Sequence, residues 1–265
     1  MIRSMYLGLS GMHNYQVRLD VVGNNIANAS TTGFKAGRAG FQDAMYMAMG
    51  ADDSCQIGTG LTVSDISNNF KQGITMYTGR TLDLAVNGNG FFAVTDEESD
   101  SDRLMFTRDG SFYIDEEGYI VNSSGLRLVS DGEDSIQIEL AEGQSLDDVY
   151  IDDNGDIYVT DPEGDVDDDP TPIGRIGLFN FANVNGLTNI GDNLYLNNDL
   201  SGEPLLGEPG TESFGVIKSG FLENSNTDMA QEMANLIETQ RGYQASTKVF
   251  TTADEVLQSI IELKR

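Results

Sequence analysis

The chain has 265 residues, of which 39% are hydrophobic, and its formal net charge is −28. This length supports one or two domains with hydrophobic cores. The charge excludes nucleic acid as a partner, since phosphate binding requires clustered Lys and Arg. The single cysteine, Cys55, excludes an internal disulfide and leaves an inert or a reactive thiol as alternatives. Because no run of about 18 residues is apolar, we expect no membrane insertion, and we identify no cleavable signal peptide.

The first predicted element is a helix from Met1 to about Ala29. Its apolar residues recur at spacings of three and four, with one shorter step after Met12, which places them on one face of a helix. Gly8, Gly11 and Gly23 weaken this helix, but small residues also allow helices to approach closely. We therefore expect the helix to need packing partners for stability. Turn residues from Asn28 to Gly33 end it.

The residues after this helix, including Phe34 and Phe41, are predicted to be extended or irregular. From about Ile57 to Gly220 the chain is predicted to be β structure, because short β-rich runs alternate with turn residues. We expect a meander of hairpins. The turns predicted to join neighbouring strands are Asn87–Gly90, Asp109-Gly110, Glu117-Gly118, Ser124-Gly125 and Asn154-Gly155.

The acidic residues are concentrated in this β region. Between Asp96 and Asp169 there are 25 Asp and Glu residues but only three basic ones, whereas both chain ends are nearly balanced. Such a region repels copies of itself and stays solvated. Two interpretations remain open: an ordinary soluble acidic domain, or a protein of a saline environment in which salt screens the repulsion.

The last predicted element is a helix from about Asn226 to Leu263, in which Gly242 is the only glycine and proline is absent. Ser225 and Asp228 have the spacing of a capping box at its start. A helix of about 38 residues is roughly 57 Å long, which is far longer than the average helix of about 11–12 residues. It carries two apolar stripes, and a single partner helix cannot cover both.

These elements predict an α+β protein whose long terminal helices pair as an antiparallel or staggered coiled coil, with a mainly antiparallel β middle domain. We expect residues 1–48 and 225–265 to form the helical core region and residues 49–224 to form the acidic, β-rich outer domain. The remaining apolar surface predicts contacts with neighbouring subunits. The predicted subunit-interface residues are Ile2, Met5, Leu9, Met12, Leu19, Val22, Ile26, Met229, Met233, Leu236, Tyr243, Val249, Val256, Ile260 and Leu263.

We find no pattern of catalytic, cofactor-binding or metal-binding residues. His13 is the only histidine, so a catalytic triad would have to use it. Asp152, Asn154 and Asp156 alternate like the start of a calcium loop, but Ile157 stands where glycine is required. We expect a solvated turn there, with weak cation binding as the alternative. The prediction is therefore a protein that is not an enzyme and uses no cofactor.

Residues 19–35 closely resemble the N-terminal motif of bacterial flagellar rod and hook proteins. In that family an N-terminal helix leads into an asparagine-rich stretch and then into a Thr-x-Gly-Phe/Tyr-Lys stretch. The matching residues here are Asn24, Asn25, Ala27, Asn28, Thr32, Gly33, Phe34 and Lys35.

The resemblance continues through most of the chain. Residues 220–226, 240–245 and 251–257 are similar to the C-terminal helix of the family, and residues 79–92 and 106–110 are similar to its central β domain. Residues 1–6, 22–25 and 35–38 resemble short hook proteins more than distal rod proteins, so we favour a hook protein, with a distal rod protein as the close second.

The resemblance implies a structural subunit that is exported unfolded through the flagellar type III export apparatus and works outside the cytoplasm in the hook or basal body. It implies a helical, tubular homo-oligomer that transmits motor torque, with adjacent rod, hook-cap and junction proteins as partners. The alternative from another class is a secreted, acidic, β-rich binding or adhesion module, which would not explain the long terminal helices.

Overall fold

The computed structural model describes residues 2–48, 56–96, 104–132, 134–138, 149–159, 172–211 and 213–263. Cys55 and the acidic segment 161–169 lie outside these residues. The chain divides into two compact units. The helical unit comprises Met1–Ala29, Lys35–Asn69 and Thr227–Arg265, and the β unit comprises Ser30–Phe34 and Phe70–Asn226. The helical unit thus includes residues 56–69, which the sequence analysis assigned to the outer domain.

Two long helices dominate the helical unit: α1 (Ile2–Ala27) and α2 (Met229–Leu263). The cap of α2 differs from the prediction. The Asp228 carboxylate accepts hydrogen bonds from the backbone N–H groups of Ala230 (2.9 Å) and Gln231 (3.3 Å), so Asp228 is the N-cap and the predicted capping box at Ser225 was wrong. Neither described helix has a stretch long and apolar enough to cross a membrane.

The two helices pack antiparallel, as the sequence predicted, although coiled-coil pairing itself stays a prediction. Gly8 lies against the α2 backbone at Ser246 and Phe250, and an added Cβ would come within 3.1 Å of the Ser246 carbonyl oxygen. Farther along, Arg18 forms an ion pair with Glu238 at 3.7 Å. The buried residues of α1 are mostly small or polar, so the closest contact is made by glycine and serine and not by the large apolar side chains.

A β-hairpin that the sequence analysis did not anticipate completes the helical unit. Its strands are β1 (Gly37–Asp43), β2 (Tyr46–Ala48), β3 (Gln56–Gly58) and β4 (Leu61–Asn68). β1 pairs with β4 and β2 pairs with β3, both antiparallel. Ser10 and Asn14 of α1 donate hydrogen bonds to the Leu61 carbonyl oxygen, at 2.7 and 2.8 Å, and so fix the hairpin to the helix.

The β unit contains the remaining sixteen strands among the described residues. They are β5 (Thr75–Tyr77), β6 (Leu84–Asn87), β7 (Phe91–Thr95), β8 (Met105–Thr107), β9 (Tyr113–Ile114), β10 (Ile120–Val121), β11 (Arg127–Leu128), β12 (Val149–Ile151), β13 (Asp156–Val159), β14 (Gly174–Arg175), β15 (Leu178–Asn180), β16 (Thr188–Gly191), β17 (Leu194–Leu196), β18 (Leu205–Gly207), β19 (Val216–Ser219) and β20 (Phe221–Glu223).

These strands pair antiparallel throughout, which confirms the predicted antiparallel β middle. The main sheet has the order β16-β17-β8-β7-β11-β10-β9, and β15 joins β7 to β18. Smaller sheets are formed by β12-β13-β14, by β6 with β19 and by β5 with β20. Strand β7 has hydrophobic cores on both faces: Phe92 and Val94 face one cluster, whereas Phe91 and Ala93 face the other.

Three of the five predicted hairpin turns join paired strands. They are Glu117-Gly118, Ser124-Gly125 and Asn154-Gly155. The predictions at Asn87–Gly90 and Asp109-Gly110 were wrong, because β6 pairs with β19 and β8 pairs with β7 and β17. A turn pattern reverses the chain, but the burial of whole strands decides which strands pair.

Candidate functional site

Both terminal helices expose large apolar side chains in the isolated chain. On α1, Ile2 is 67% exposed and Leu9 is 51% exposed. On α2 the exposed residues run along the full helix, from Met229 at its first turn to Leu263, which is 86% exposed. Since transfer of apolar surface out of water is favourable, this surface favours association with another protein surface.

The fifteen predicted interface residues fall into three groups. Val22 is buried within the helical unit. Five are half-buried: Met5, Met12, Leu19, Ile26 and Leu236. The other nine are exposed: Ile2, Leu9, Met229, Met233, Tyr243, Val249, Val256, Ile260 and Leu263.

Several exposed apolar residues of the helical unit were not among the predicted interface residues. Tyr6, Leu7, Ile237 and Ile261 lie beside the predicted stripes and widen the exposed surface. The others lie on the hairpin or its turns, at Phe41, Met45, Tyr46, Met47, Ile57 and Ile66. The residues of the first group could have been found by including the apolar residues next to each predicted stripe. Those of the second group could not be found without knowing that the hairpin forms.

The asparagines of the N-terminal motif hold the end of α1. The Asn25 side chain is buried and pairs with Gly37 in both directions: its Nδ2 donates to the Gly37 carbonyl oxygen, and its Oδ1 accepts from the Gly37 N–H, both at 2.8 Å. The Asn28 Nδ2 donates to the Asn24 carbonyl oxygen at 3.0 Å. These contacts terminate the helix and fix the start of β1 beside it. Ala27 is exposed, and Lys35 is buried in the helical unit.

The middle of the motif belongs to the β unit. Gly33 has a φ of +67°, a left-handed conformation that other residues rarely adopt. An added Cβ there would lie 2.6 Å from the Asp109 backbone nitrogen. The Gly33 N–H donates to the Glu223 carbonyl oxygen at 2.8 Å, and Asn193 donates to the Thr32 carbonyl oxygen at 2.9 Å. Only glycine therefore fits here without displacing the backbone at Arg108 and Asp109.

A buried ion pair lies beside this segment and was not predicted. The Arg108 guanidinium is 3.3 Å from the Glu223 carboxylate, and both side chains are at most 5% exposed. Glu223 also accepts a hydrogen bond from the Gly73 N–H at 2.7 Å, and Arg108 donates to the Gly88 carbonyl oxygen at 2.9 Å. The pair thus holds together segments that are distant in the sequence.

Burial perturbs the titration of this cluster. Desolvation lowers the pKa of the Arg108 guanidinium, and the Glu223 carboxylate opposes that shift. Burial raises the pKa of the nearby Tyr195 hydroxyl to about 12. Each charge is bound to a backbone group of a distant segment, so we interpret the cluster as structural.

The remaining candidate groups for chemistry are dispersed. His13 lies exposed on α1. Asp156 of the calcium-like stretch binds the Arg175 guanidinium at 2.7 Å. No three metal-binding side chains cluster within the part of the chain that the structure describes. The feature that stands out is therefore the exposed apolar surface of the helical unit.

Comparisons with known proteins match the same segments. A model described as flagella basal body rod protein matches residues 5–35. A model of the flagellar hook protein FlgE/F/G D1 domain matches residues 85–159, and one of the flagellar basal body rod FlgEFG protein C-terminal region matches residues 218–263. The matches cover α1 with the motif, part of the β unit, and α2.

The flagellar basal-body rod protein FlgG of Bacillus subtilis is 40% identical over 276 aligned residues that cover all of both chains. The chain belongs to the flagellar basal-body rod and hook protein family. This confirms the resemblance of the N-terminal motif, and the family is structural and not enzymatic. Members of this family are parts of the flagellar basal body and hook.

Within the family, the relatives favour the rod. FlgG of Borreliella burgdorferi is 32% identical over 276 residues covering all of both chains. The hook protein FlgE of the same organism is 24% identical, over an alignment of 445 residues. The preference for a hook protein, which rested on short N-terminal stretches, is therefore corrected in favour of a rod protein.

Proposed function

We propose that this protein is a rod subunit of the flagellar axial tube, that its copies assemble helically through the terminal helices, and that the assembled tube transmits motor torque. The observation that supports this most directly is the exposed apolar surface along α1 and α2. A single chain leaves that surface in water, whereas neighbouring copies would cover it. The full-length similarity to FlgG proteins supports a rod position.

The proposed partners follow from this position. Other copies of the chain surround each subunit, and adjacent rod, hook-cap and junction proteins contact the two ends of the assembly. The flagellar type III export apparatus delivers the unfolded chain out of the cytoplasm. Family membership supports these partners over those of an adhesion module, which would use neither terminal helix.

Substitution of Ile260 tests the interface. Ile260 is 46% exposed on α2, so Ile260→Asp should leave the isolated chain folded but place a charge in the subunit contact. We expect polymerisation of the purified chain, followed by light scattering and electron microscopy, to be abolished. Gln258→Asp is the matched control: Gln258 is also exposed on α2, and its substitution by Asp adds the same charge. Normal polymers from the Ile260→Asp chain would refute the proposed interface.

Immunogold labelling tests the rod position. An antibody against residues 96–169 should label only the basal body, and only after the cell envelope is removed. Labelling of the curved external segment next to the cell would instead make the protein a hook subunit.

A further inference from the structure

The β unit carries two exposed apolar patches of opposite charge. The first, the basic patch, surrounds the two-stranded sheet of β5 and β20. The second, the acidic patch, surrounds β18 at the edge of the main sheet. The basic patch consists of Lys71, Ile74, Met76, Tyr77, Lys218 and Leu222. The acidic patch consists of Asp199, Leu200, Glu203, Leu205, Leu206 and Glu208.

The basic patch is apolar and grooved. Ile74 is 80% exposed and Met76 is 53% exposed. Among the described strands, β5 pairs only with β20. Met76 pairs with Leu222 across the two strands, and these two side chains line a groove of about 180 Å³ together with Ser30, Thr32 and Asn224. This groove offers an apolar docking position beside a free strand edge.

The segments that form the basic patch carry positive charge, whereas the whole chain is strongly negative. Residues 70–82 and 214–222 contain no Asp or Glu, although the chain has a net charge of −28. Lys71 is exposed, and the Lys218 ammonium lies 6.0 Å from the centre of the Phe221 ring, which contacts Tyr77 at 5.2 Å. This surface is therefore one place where an acidic partner can approach without repulsion.

The acidic patch has the complementary properties. Leu200 is 74% exposed and Leu205 is 58% exposed, and within the described part of the chain β18 pairs only with β15. Asp199 and Glu203 are exposed and form no ion pair among the described residues. Of the three carboxylates, Glu208 alone is neutralised, by Arg175 at 3.0 Å.

We propose that the acidic patch of one copy docks on the basic patch of the next copy, with Leu205 or Leu200 in the groove beside Met76. This inference rests on the proposed function and adds a contact between β units to the contacts of the helices. Because the two patches are different surfaces, the contact is head-to-tail and can propagate into an open helical polymer. It also explains how units that carry so much negative charge lie side by side.

Disulfide trapping tests this contact in the full chain. In a Cys55→Ser background, Met76→Cys combined with Leu205→Cys should give a ladder of linked chains when the polymer is oxidised and analysed on a non-reducing gel. The matched control combines Met76→Cys with Tyr150→Cys, because Tyr150 is also on an edge strand and is 57% exposed. Polymers that give no ladder, or an equal ladder in the control, would overturn the contact while leaving the proposed function standing.

Charge exchange gives a second measurement that does not require cysteine. Lys71→Glu with Lys218→Glu should raise the concentration needed for self-association at least several-fold, as measured by sedimentation. Adding Asp199→Lys and Glu203→Lys should restore association. Adding Glu116→Lys and Glu117→Lys instead restores the same net charge at an unrelated turn and should not. Equal restoration by both pairs would overturn the proposal, since only net charge would then matter.

Discussion

At the scale of single residues, the β unit depends on the buried ion pair of Arg108 and Glu223. Arg108 and Glu223 are almost completely buried, and the Arg108 Nε atom has no hydrogen-bond partner in the described part of the chain. Desolvating two charges is costly, so such a pair adds little net stability. Removal of one partner, however, leaves the other charge buried without a counter-ion. The pair therefore acts as a constraint: the segments that carry Gly73 and Gly88 must both be in place for the two charges to be satisfied.

Neutralising Glu223 should therefore destabilise the β unit strongly. Glu223→Gln leaves the Arg108 charge buried without a counter-ion, and we expect a loss of about 3–5 kcal/mol in the free energy of unfolding, measured by urea denaturation of the full chain. Glu117→Gln is the control, because the Glu117 side chain is 66% exposed where it pairs with Arg127; its loss should cost at most about 1 kcal/mol. Equal effects would show that the Arg108–Glu223 pair imposes no such constraint.

Tyr195 predicts an alkaline limit to stability. Burial raises the pKa of its hydroxyl to about 12 from an ordinary value of 10.0. Between these values the unfolded chain loses the proton and the folded chain keeps it, so the stability present below pH 10 falls as the pH rises toward 12. The full loss should be roughly 2–3 kcal/mol. Denaturant titrations across this pH range should show the fall in the wild type, and Tyr195→Phe should lack that component. An identical pH profile in the variant would contradict the assignment.

At the scale of elements, the glycines of α1 look alike in the sequence but have different surroundings in the structure. Gly8 and Gly11 lie where α1 meets α2, whereas an added Cβ at Gly23 would meet nothing within 4 Å. The helices could be predicted because their apolar period is local. The face that forms the helix–helix contact could not, since that face is defined by small residues whose partners are more than two hundred positions away.

The same distinction explains the missed hairpin and strand pairs. Gly37 and Gly40 break the alternating pattern of β1, and its partner β4 follows only after β2 and β3. Likewise, β6 ends at a turn sequence but pairs with β19, near the end of the β unit. Local patterns predicted that these segments are extended, but pairing between distant strands depends on burial that only the complete fold provides.

Enlarging Gly8 should weaken the helix pair. Gly8→Val would force the backbones of α1 and α2 apart, at an overpacking cost of about 1–3 kcal/mol. Gly23→Val introduces the same side chain at an open position of α1 and should be nearly neutral or slightly stabilising. Thermal unfolding followed by the helical circular dichroism signal compares them. Equal melting temperatures would mean that the close approach at Gly8 is not required for pairing.

At the scale of the whole molecule, attraction and repulsion are separated along the chain. The helical unit exposes apolar surface on α1, α2 and the hairpin, whereas 25 acidic residues lie between Asp96 and Asp169. Apolar contact favours assembly at any ionic strength, while the acidic residues of neighbouring copies oppose it over a distance set by salt. The balance between these two terms sets the concentration at which copies associate.

This balance predicts that assembly strengthens as salt rises. The screening length shortens from about 30 Å at 0.01 M salt to about 8 Å at 0.15 M, so repulsion between neighbouring copies weakens while apolar contacts persist. Light scattering should show a lower critical concentration for polymerisation at each higher salt concentration. Replacing the six Asp and Glu residues of segment 161–169 by Asn and Gln changes the net charge from −28 to −22, so this variant should depend less on salt. A critical concentration that rises steadily with salt would show that attraction between opposite charges, and not net repulsion, dominates assembly.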